Sequence, residues 1–187
     1  MAIKTFLTSD LHFSHKNIIT FCKRPYFDVR EMNQAMTDNW NSLISKEDLV
    51  YVLGDFSMHE KSVAHYLHKL NGLKILVRGN HDENSVLNEF DGYAHRIIIN
   101  YNGVAIEMVH DPAHLSGKVD YAFCGHVHDQ WKLMKKGAEM IERHSGRSYG
   151  MLPATTLNVG VDVHNMMPIL LDDAVKLLDP FELLDEK

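Results

Sequence analysis

The sequence predicts an α/β fold in which two mixed β-sheets pack on each other and are flanked by helices. Through the first half of the chain, apolar β-branched runs alternate with segments of helical periodicity, which indicates a parallel sheet with right-handed crossovers. Past residue 90 the apolar runs are shorter and tight connections join them, which indicates a second sheet. The 187 residues, 45% hydrophobic and 24% charged, suit one domain that spans residues 1–187.

The first half is predicted to contain three strands separated by two helices. Met32 and Trp40 belong to a helical repeat that predicts a helix from Arg30 to Ile44. A second helix is predicted from about Lys61 to Leu70, because Asn71-Gly72 is a typical stop signal. The strands around these helices are Ile3 to Thr8, Leu49 to Leu53 and Ile75 to Val77.

The second half is predicted to form the second sheet and a closing helix. Asn102-Gly103 between two apolar runs is a strong signal for a β-hairpin. A helix is predicted from Asp172 to Leu178. The strands are predicted at Arg96 to Tyr101, Val104 to Val109 and Tyr121 to Cys124.

Charge and composition restrict the classes of function. The formal net charge of −6 argues against a protein that binds nucleic acid through a broad basic surface, although bound cations could still make a site for phosphate positive. Cys22 and Cys124 have no metal-binding or redox spacing. No apolar run is long enough to cross a membrane, and Met1 to Lys4 has no signal-peptide character, so a cytoplasmic location is predicted.

Five polar clusters each follow an apolar run, so each is predicted to stand where a strand ends. Carboxylate, imidazole and amide groups that come from several strand ends can converge on one point, as a binuclear metal centre requires. In a strand, positions i and i+2 face the same side, so Asp10 and His12 could reach one ion, as could His126 and His128. The clusters are Asp10-x-His12, Gly54-Asp55, Gly79-Asn80-His81-Asp82, His110 and Gly125-His126-x-His128.

This ordered series resembles the calcineurin-like metallophosphoesterase superfamily, and Asn158 to Asp162 with Pro168 resembles the tail of its small bacterial and phage members. The resemblance implies a four-layer α/β/β/α sandwich with two divalent metal ions. It favours manganese, while iron, zinc and nickel stay open because the order of metal affinities alone does not decide. One ion would take Asp10, His12, Asp55 and His128, and the other Asp55, Asn80, His110 and His126, so that Asp55 bridges them.

One departure from the superfamily restricts the substrate. In its phosphoprotein phosphatases the Gly-Asp cluster continues into Val-Asp-Arg-Gly, whereas Phe56 to His59 here reads Phe-Ser-Met-His, which disfavours protein phosphatase activity. The aspartate that partners the active-site histidine of those enzymes is also missing. Asp82 is adjacent to His81 in sequence, but its orientation is left open.

The predicted mechanism is hydrolysis by a hydroxide that two metal ions activate, with His81 as the general acid for the leaving oxygen. Three side chains are candidate phosphate contacts: Arg78, His15 and Arg24. Arg78 could equally form a surface ion pair. His15 could instead orient a metal ligand.

The predicted substrates are phosphodiesters, such as cyclic nucleotides or nucleic-acid-derived esters, because a small chain without a capping domain leaves the site open. Two alternatives stay open: a nuclease that acts on nucleic-acid ends, and a non-catalytic binding module of the same fold. The basic stretch Lys132 to Gly150 is either a flap that contacts phosphates or a solvated excursion. Neither a membrane nor an obligate protein partner is indicated.

Overall fold

The computed structural model describes residues 2–141, 146 and 148–179. In that part of the chain, the helices are α1 (Ile18–Phe21), α2 (Val29–Leu43), α3 (Glu60–Leu67) and α4 (Leu171–Leu178). The strands are β1 (Thr5–Thr8), β2 (Leu49–Val52), β3 (Leu73–Val77), β4 (Gly92–Ala94), β5 (Ile97–Tyr101), β6 (Val104–Met108), β7 (Tyr121–Cys124), β8 (Leu133–Met134), β9 (Glu139–Ile141), β10 (Ser148–Met151), β11 (Thr155–Asn158) and β12 (Ile169–Leu170).

The first sheet has five strands in the order β12-β1-β2-β3-β4. Strands β1 to β4 run parallel and β12 is antiparallel to β1. The helices α2 and α3 connect β1 to β2 and β2 to β3, as the alternation of apolar runs and helical repeats predicted. The parallel direction brings the carboxyl ends of β1, β2 and β3 to one edge of the sheet.

The second sheet also has five strands, in the order β5-β6-β7-β11-β8. Strands β5 and β6 form the predicted hairpin, and Asn102 and Gly103 both have positive φ, of 50° and 90°, as a type I′ turn requires. Strands β6, β7 and β11 run parallel. The predicted fold class, two packed mixed sheets flanked by helices, is confirmed.

Two apolar cores hold these layers together. Met32, Met36 and Trp40 on the buried face of α2 pack against the first sheet, and Asp28 caps this helix by accepting the N–H groups of Arg30 and Glu31. The second core lies between the sheets and includes the buried face of α4.

The two sheets meet at their carboxyl ends. Just past β1 and β11, Ser9 and Gly160 form a parallel bridge, and Ser9 O accepts the N–H of Val161 at 3.1 Å. Loops that follow strands of both sheets are therefore brought to the same edge of the molecule.

The predicted elements are all observed, most of them with shifted ends, but the strands β4 and β8 to β12 were not predicted. Helix α3 ends at Leu67 rather than Leu70. Within the basic stretch, β9 and β10 pair as a separate two-stranded sheet, while Arg143 and Arg147 lie outside the described residues. No helix in the described ranges is long and apolar enough to cross a membrane.

Candidate metal centre

The polar clusters predicted as ligands come together where the two sheets meet. Backbone hydrogen bonds join their loops side by side: the N–H of Asp10 donates to Gly54 O at 3.1 Å, and the N–H of His12 donates to Asp55 O at 3.0 Å. The main-chain N–H of His126 also reaches the Asp10 carboxylate, at 3.0 Å. Three of the five clusters are thus connected directly through the backbone.

The predicted ligand residues lie just past the strands rather than in them, so the argument from side-chain alternation in a strand is wrong. Strand β1 ends at Thr8 and β7 at Cys124, and the chain turns into left-handed backbone two residues later, at Asp10 and His126. Side chains still converge, but through sharp turns rather than strand alternation. The left-handed ligand residues and their φ angles are Asp10 (56°), His12 (51°), Asp55 (55°), His126 (70°) and His128 (48°).

Four potential ligand atoms surround one point. His110 Nε2 lies 3.0 Å from Asn80 Oδ1, 3.2 Å from His126 Nδ1 and 3.4 Å from Asp55 Oδ2. His126 Nδ1 is also 3.0 Å from Asn80 Oδ1. Ligands about 2.1 Å from one metal ion are separated by about 3.0–3.4 Å around its coordination sphere, so these spacings suit a cation.

The hydrogen bonding of His110 supports the same conclusion. Its Nδ1 lies 2.7 Å from Leu53 O, a carbonyl that can only accept, so Nδ1 carries a proton. In the neutral ring, Nε2 is then a lone pair that faces the oxygens of Asp55 and Asn80. A positive charge is needed between such acceptors, which a divalent cation supplies.

A second set of ligand atoms consists of Asp10, His12 and His128, all within 4.8 Å of one another. Asp10 also lies within 4.8 Å of Asp55 and His110, so the two sets are contiguous. His12 is 1% exposed, and neither ring nitrogen has a hydrogen-bond partner in the described part of the chain. Because a buried unpaired imidazole is costly, His12 also fits a role as a metal ligand.

Burial and opposite charges shift the ionisation of these groups. Burial lowers the pKa of His12 to about 3 despite the nearby Asp55, so this ring is neutral. Burial opposes protonation of His110, but the hydrogen bond to Asp55 and the charge of Asp10 raise its pKa to about 9. Burial would raise the pKa of Asp55, yet His110 and His12 lower it well below its ordinary range. Without a cation, a proton on His110 balances the carboxylates.

Asp162 orients His128 and is itself held by Arg24. Asp162 Oδ2 lies 2.9 Å from His128 Nδ1, which leaves Nε2 free for a metal ion. Burial opposes protonation of His128, but this hydrogen bond raises its pKa to about 11. Arg24 donates to both oxygens of Asp162, from Nε at 2.8 Å and from Nη2 at 3.1 Å.

Comparison with known proteins agrees with this geometry. The sequence model described as "Calcineurin-like phosphoesterase superfamily domain" matches residues 3–145. The chain belongs to this superfamily.

Relatives of this phosphoesterase come from archaea, phages and bacteria. It is 32% identical to an uncharacterized protein of Methanocaldococcus jannaschii, over 94% of this chain and 92% of the relative. It is 28% identical to the Gene 66 protein of Mycobacterium phage L5, over 75% of this chain and 76% of that protein. The crystal structure of a protein of unknown function from Aquifex aeolicus matches with a TM-score of 0.70 and 26% identity, covering 94% of this chain and all of the other.

Membership and site geometry together give a coarse function. The superfamily hydrolyses phosphoesters with the help of metal ions, and this phosphoesterase has a buried cluster of Asp and His residues that could bind metal. The predicted membership of the calcineurin-like superfamily is thereby confirmed.

The sequence did not reveal how Asp82 acts in this phosphoesterase. Its carboxylate accepts three backbone N–H groups: those of Asp55 at 2.9 Å, Phe56 at 3.1 Å and Gly79 at 2.8 Å. Asp82 therefore fixes two ligand loops against each other. Burial raises its pKa.

Arg24 is placed differently from the predicted phosphate contact. Its side chain is 0% exposed, and besides Asp162 it donates to the backbone oxygens of Leu11 at 2.9 Å and Asp10 at 2.6 Å. The second N–H of Nη1 faces Met32 Sδ at 3.6 Å and Met36 Sδ at 3.8 Å, so all five N–H groups have partners and Arg24 supports the ligand loops instead. The partner of Arg24 is Asp162, 138 residues later in the sequence, and the only sequence signal for this pairing is the Asn158 to Asp162 segment noted above.

The other predicted contacts lie around the cluster. The rings of His15 and His81 are centred 5.3 and 5.4 Å from that of His12. The main-chain N–H of His81 donates to Asp55 Oδ1 at 2.9 Å, while its side chain is exposed. Arg78 donates from Nε to Asp82 O and lines a cavity of about 530 Å³ beside His110 and His126.

Proposed function

We propose that this protein is a phosphodiesterase that uses two divalent cations, manganese in preference to iron, zinc or nickel. The proposed substrates are small phosphodiesters such as cyclic nucleotides or nucleic-acid-derived esters. The observation that carries the proposal is the position of Asp55 Oδ2, 3.5 Å from His12 Nε2 and 3.4 Å from His110 Nε2. One carboxylate oxygen between two sets of ligands is what a bridge between two cations requires.

The ligand assignment follows from the two sets of atoms. Such cations, when bound, would polarise phosphoryl oxygens and lower the pKa of water. In the proposed assignment Asp55 belongs to both sets. The first set is Asp10, His12, Asp55 and His128, and the second is Asp55, Asn80, His110 and His126.

His81 is the proposed general acid. The hydrogen bond from its main-chain N–H to Asp55 Oδ1 fixes its backbone beside the ligands, while the exposed ring stays free to approach a substrate. A ring nitrogen of His81 would donate its proton to the leaving oxygen as the phosphorus–oxygen bond breaks. Proton donation of this kind contributes about 10² to 10⁴ in rate.

Arg78 and His15 are the proposed contacts to the phosphoryl group. Among the residues that the structure describes, Arg78 has only its Nε bonded, to Asp82 O, so its terminal nitrogens can face an anion in the adjoining cavity. His15 lies against the ring of His12, with the ring centroids 5.3 Å apart. In this proposal both side chains would contact phosphoryl oxygens held at the ligands.

The proposal favours a small diester over a long nucleic acid. Of the basic residues past His128, Lys136 is paired with Asp120 at 2.7 Å, so its charge is compensated within the protein. A non-catalytic binding module would not need His81, which stands beside a complete set of ligands.

The test is hydrolysis by protein reconstituted with manganese. Bis-p-nitrophenyl phosphate, p-nitrophenyl phosphate and a phosphopeptide are compared at equal concentration, and the metal content is measured by elemental analysis. We expect about two ions per chain and fastest cleavage of the diester. Fastest cleavage of the phosphopeptide, or full activity without metal, would overturn the proposal.

Asp55→Asn tests the bridge, and Asp48→Asn is its matched control. Asp48 is also buried and also accepts backbone N–H groups, those of Lys4 and Ser45, but it precedes β2 at the opposite end of the strand. Asp55→Asn is expected to lose metal and activity together. Asp48→Asn is expected to keep both.

A further inference from the structure

A cavity of about 250 Å³ opens directly onto the candidate metal centre. Its lining includes proposed ligand residues and His81. It also includes Gln130 and an apolar wall of Trp131, Ile141 and Tyr149. A group attached to the reacting phosphorus could therefore extend from the ligands to this wall.

The wall is not explained by packing of the fold. Strands β9 and β10, which carry Ile141 and Tyr149, pair only with each other in the part of the chain that the structure describes, and they join neither five-stranded sheet. Met140 is buried and anchors them, but Ile141 and Tyr149 are 56% and 51% exposed. Exposed apolar side chains at the rim of a polar site are typical of ligand-binding grooves.

We propose that Trp131 and Tyr149 bind the nucleobase of a mononucleotide diester, and this inference rests on the function proposed above. A nucleobase has flat faces that stack on aromatic rings and polar edges that hydrogen-bond. The cavity offers both, since the amide of Gln130 can donate and accept beside the rings.

The size of the cavity and the charge of the protein favour a single nucleotide over an acyl chain or a long nucleic acid. A volume of about 250 Å³ suits one base rather than an extended acyl chain, and a hydrocarbon could not hydrogen-bond the amide of Gln130 in the lining. A long nucleic acid would need a basic track, which a net charge of −6 does not favour.

The experiment compares two diesters that differ only in the base. One is the methyl ester of thymidine 5′-phosphate, and the other is the matching abasic tetrahydrofuran diester. Hydrolysis by the manganese-loaded full chain is followed by phosphorus NMR. Stacking of about 1–3 kcal/mol per base corresponds to about 5- to 150-fold in kcat/KM at 1.36 kcal/mol per tenfold, so the wild type is expected to prefer thymidine by that factor.

Substitutions then locate the preference. Tyr149→Ala and Trp131→Ala are each expected to move the thymidine-to-abasic ratio towards one, while Tyr149→Phe keeps it because the ring is retained. Tyr93→Ala is the matched control: Tyr93 is 49% exposed, stands on β4 and is not among the residues that line this cavity.

The outcomes separate this inference from the function beneath it. Hydrolysis of neither diester would overturn the proposed diesterase activity and the inference with it. Equal hydrolysis of both diesters by the wild type would overturn the inference alone. Equal losses on both substrates in Tyr149→Ala would also overturn it, since the ring would then support the fold rather than the base.

Discussion

The substitution Asp162→Asn tests whether Asp162 orients His128 for metal binding or only stabilises the fold. The substitution keeps the shape of the side chain but removes the charge that faces His128 Nδ1 and the guanidinium of Arg24. The amide nitrogen must then face one of these two donors. We expect His128 to lose its fixed orientation and manganese affinity to fall about 10- to 100-fold, which is about 1.4–2.7 kcal/mol.

The same substitution leaves Arg24 buried without its counter-ion. Breaking a buried ion pair from one side costs about 3–5 kcal/mol, and the lower figure is expected here because Arg24 keeps the carbonyl oxygens of Leu11 and Asp10. The free energy of unfolding is measured in urea on metal-free protein. Manganese affinity is measured separately, by competition with a chelating dye.

Asp48→Asn is again the control, since it removes a buried carboxylate far from the ligands. It is expected to lower stability and leave manganese affinity unchanged. If Asp162→Asn behaves in the same way, Asp162 is a structural residue and its contact with His128 has no bearing on metal binding. If it changes neither quantity, the reasoning from the buried ion pair is refuted.

Three further predictions follow from the site and its surroundings. His81→Ala is expected to keep its metals and to lose about 10² to 10⁴-fold more activity on an alkyl ester than on a nitrophenyl ester, because nitrophenolate leaves without protonation. Equal losses on both esters would assign His81 to phosphate binding. Gly79→Ala is expected to lose metal, because its Cβ would lie 2.6 Å from Asp55 N. In the control Gly92→Ala the new Cβ meets only the flexible end of the Ile75 side chain, so this variant should bind metal normally. Elemental analysis measures the metal content of both variants. The N–H groups of Lys4 and Ser45 lower the pKa of Asp48. The ionised carboxylate therefore stabilises the fold above the ordinary carboxyl range, and this contribution is lost as the pH falls through the lowered pKa. The difference in urea midpoint between wild type and Asp48→Asn should shrink from about pH 7 to about pH 3, and a constant difference would contradict this.

Local patterns were sufficient to predict six of the strands and the polar residues that follow them. Continuous apolar runs end just before Gly54-Asp55 and His110, and the carboxyl ends of parallel strands lie at one edge of a sheet. The short strands β4, β8, β9, β10 and β12 and the buried strand β11 were not predicted. The backbone of Asp10 and His12 was predicted wrongly, because the turn into left-handed conformation depends on hydrogen bonds to Gly54 and Asp55, more than forty residues away.

Long-range support was the other part that sequence could not predict. Arg24 and Asp162 lie 138 residues apart, and nothing local indicates that a guanidinium will be buried against a carboxylate. The orientation of Asp82 was left open, and its carboxylate accepts the N–H of Gly79 in its own loop and that of Asp55 in another. Such contacts depend on tertiary packing and leave no periodic signal in the chain.

The left-handed backbone of five ligand residues has a consequence for how such proteins are recognised. An L-residue with a side chain pays on the order of 1 kcal/mol for this conformation, and glycine would relieve it at each position. Asp10 and His126 nonetheless have side chains at such positions, and both side chains reach the candidate metal centre. Left-handed backbone alone does not mark a site, since Lys23 and Asn102 share it. Aspartates and histidines in this conformation just past adjoining strand ends, with their side-chain atoms within ligand distance of one another, are a pattern for which structures of unknown function can be searched.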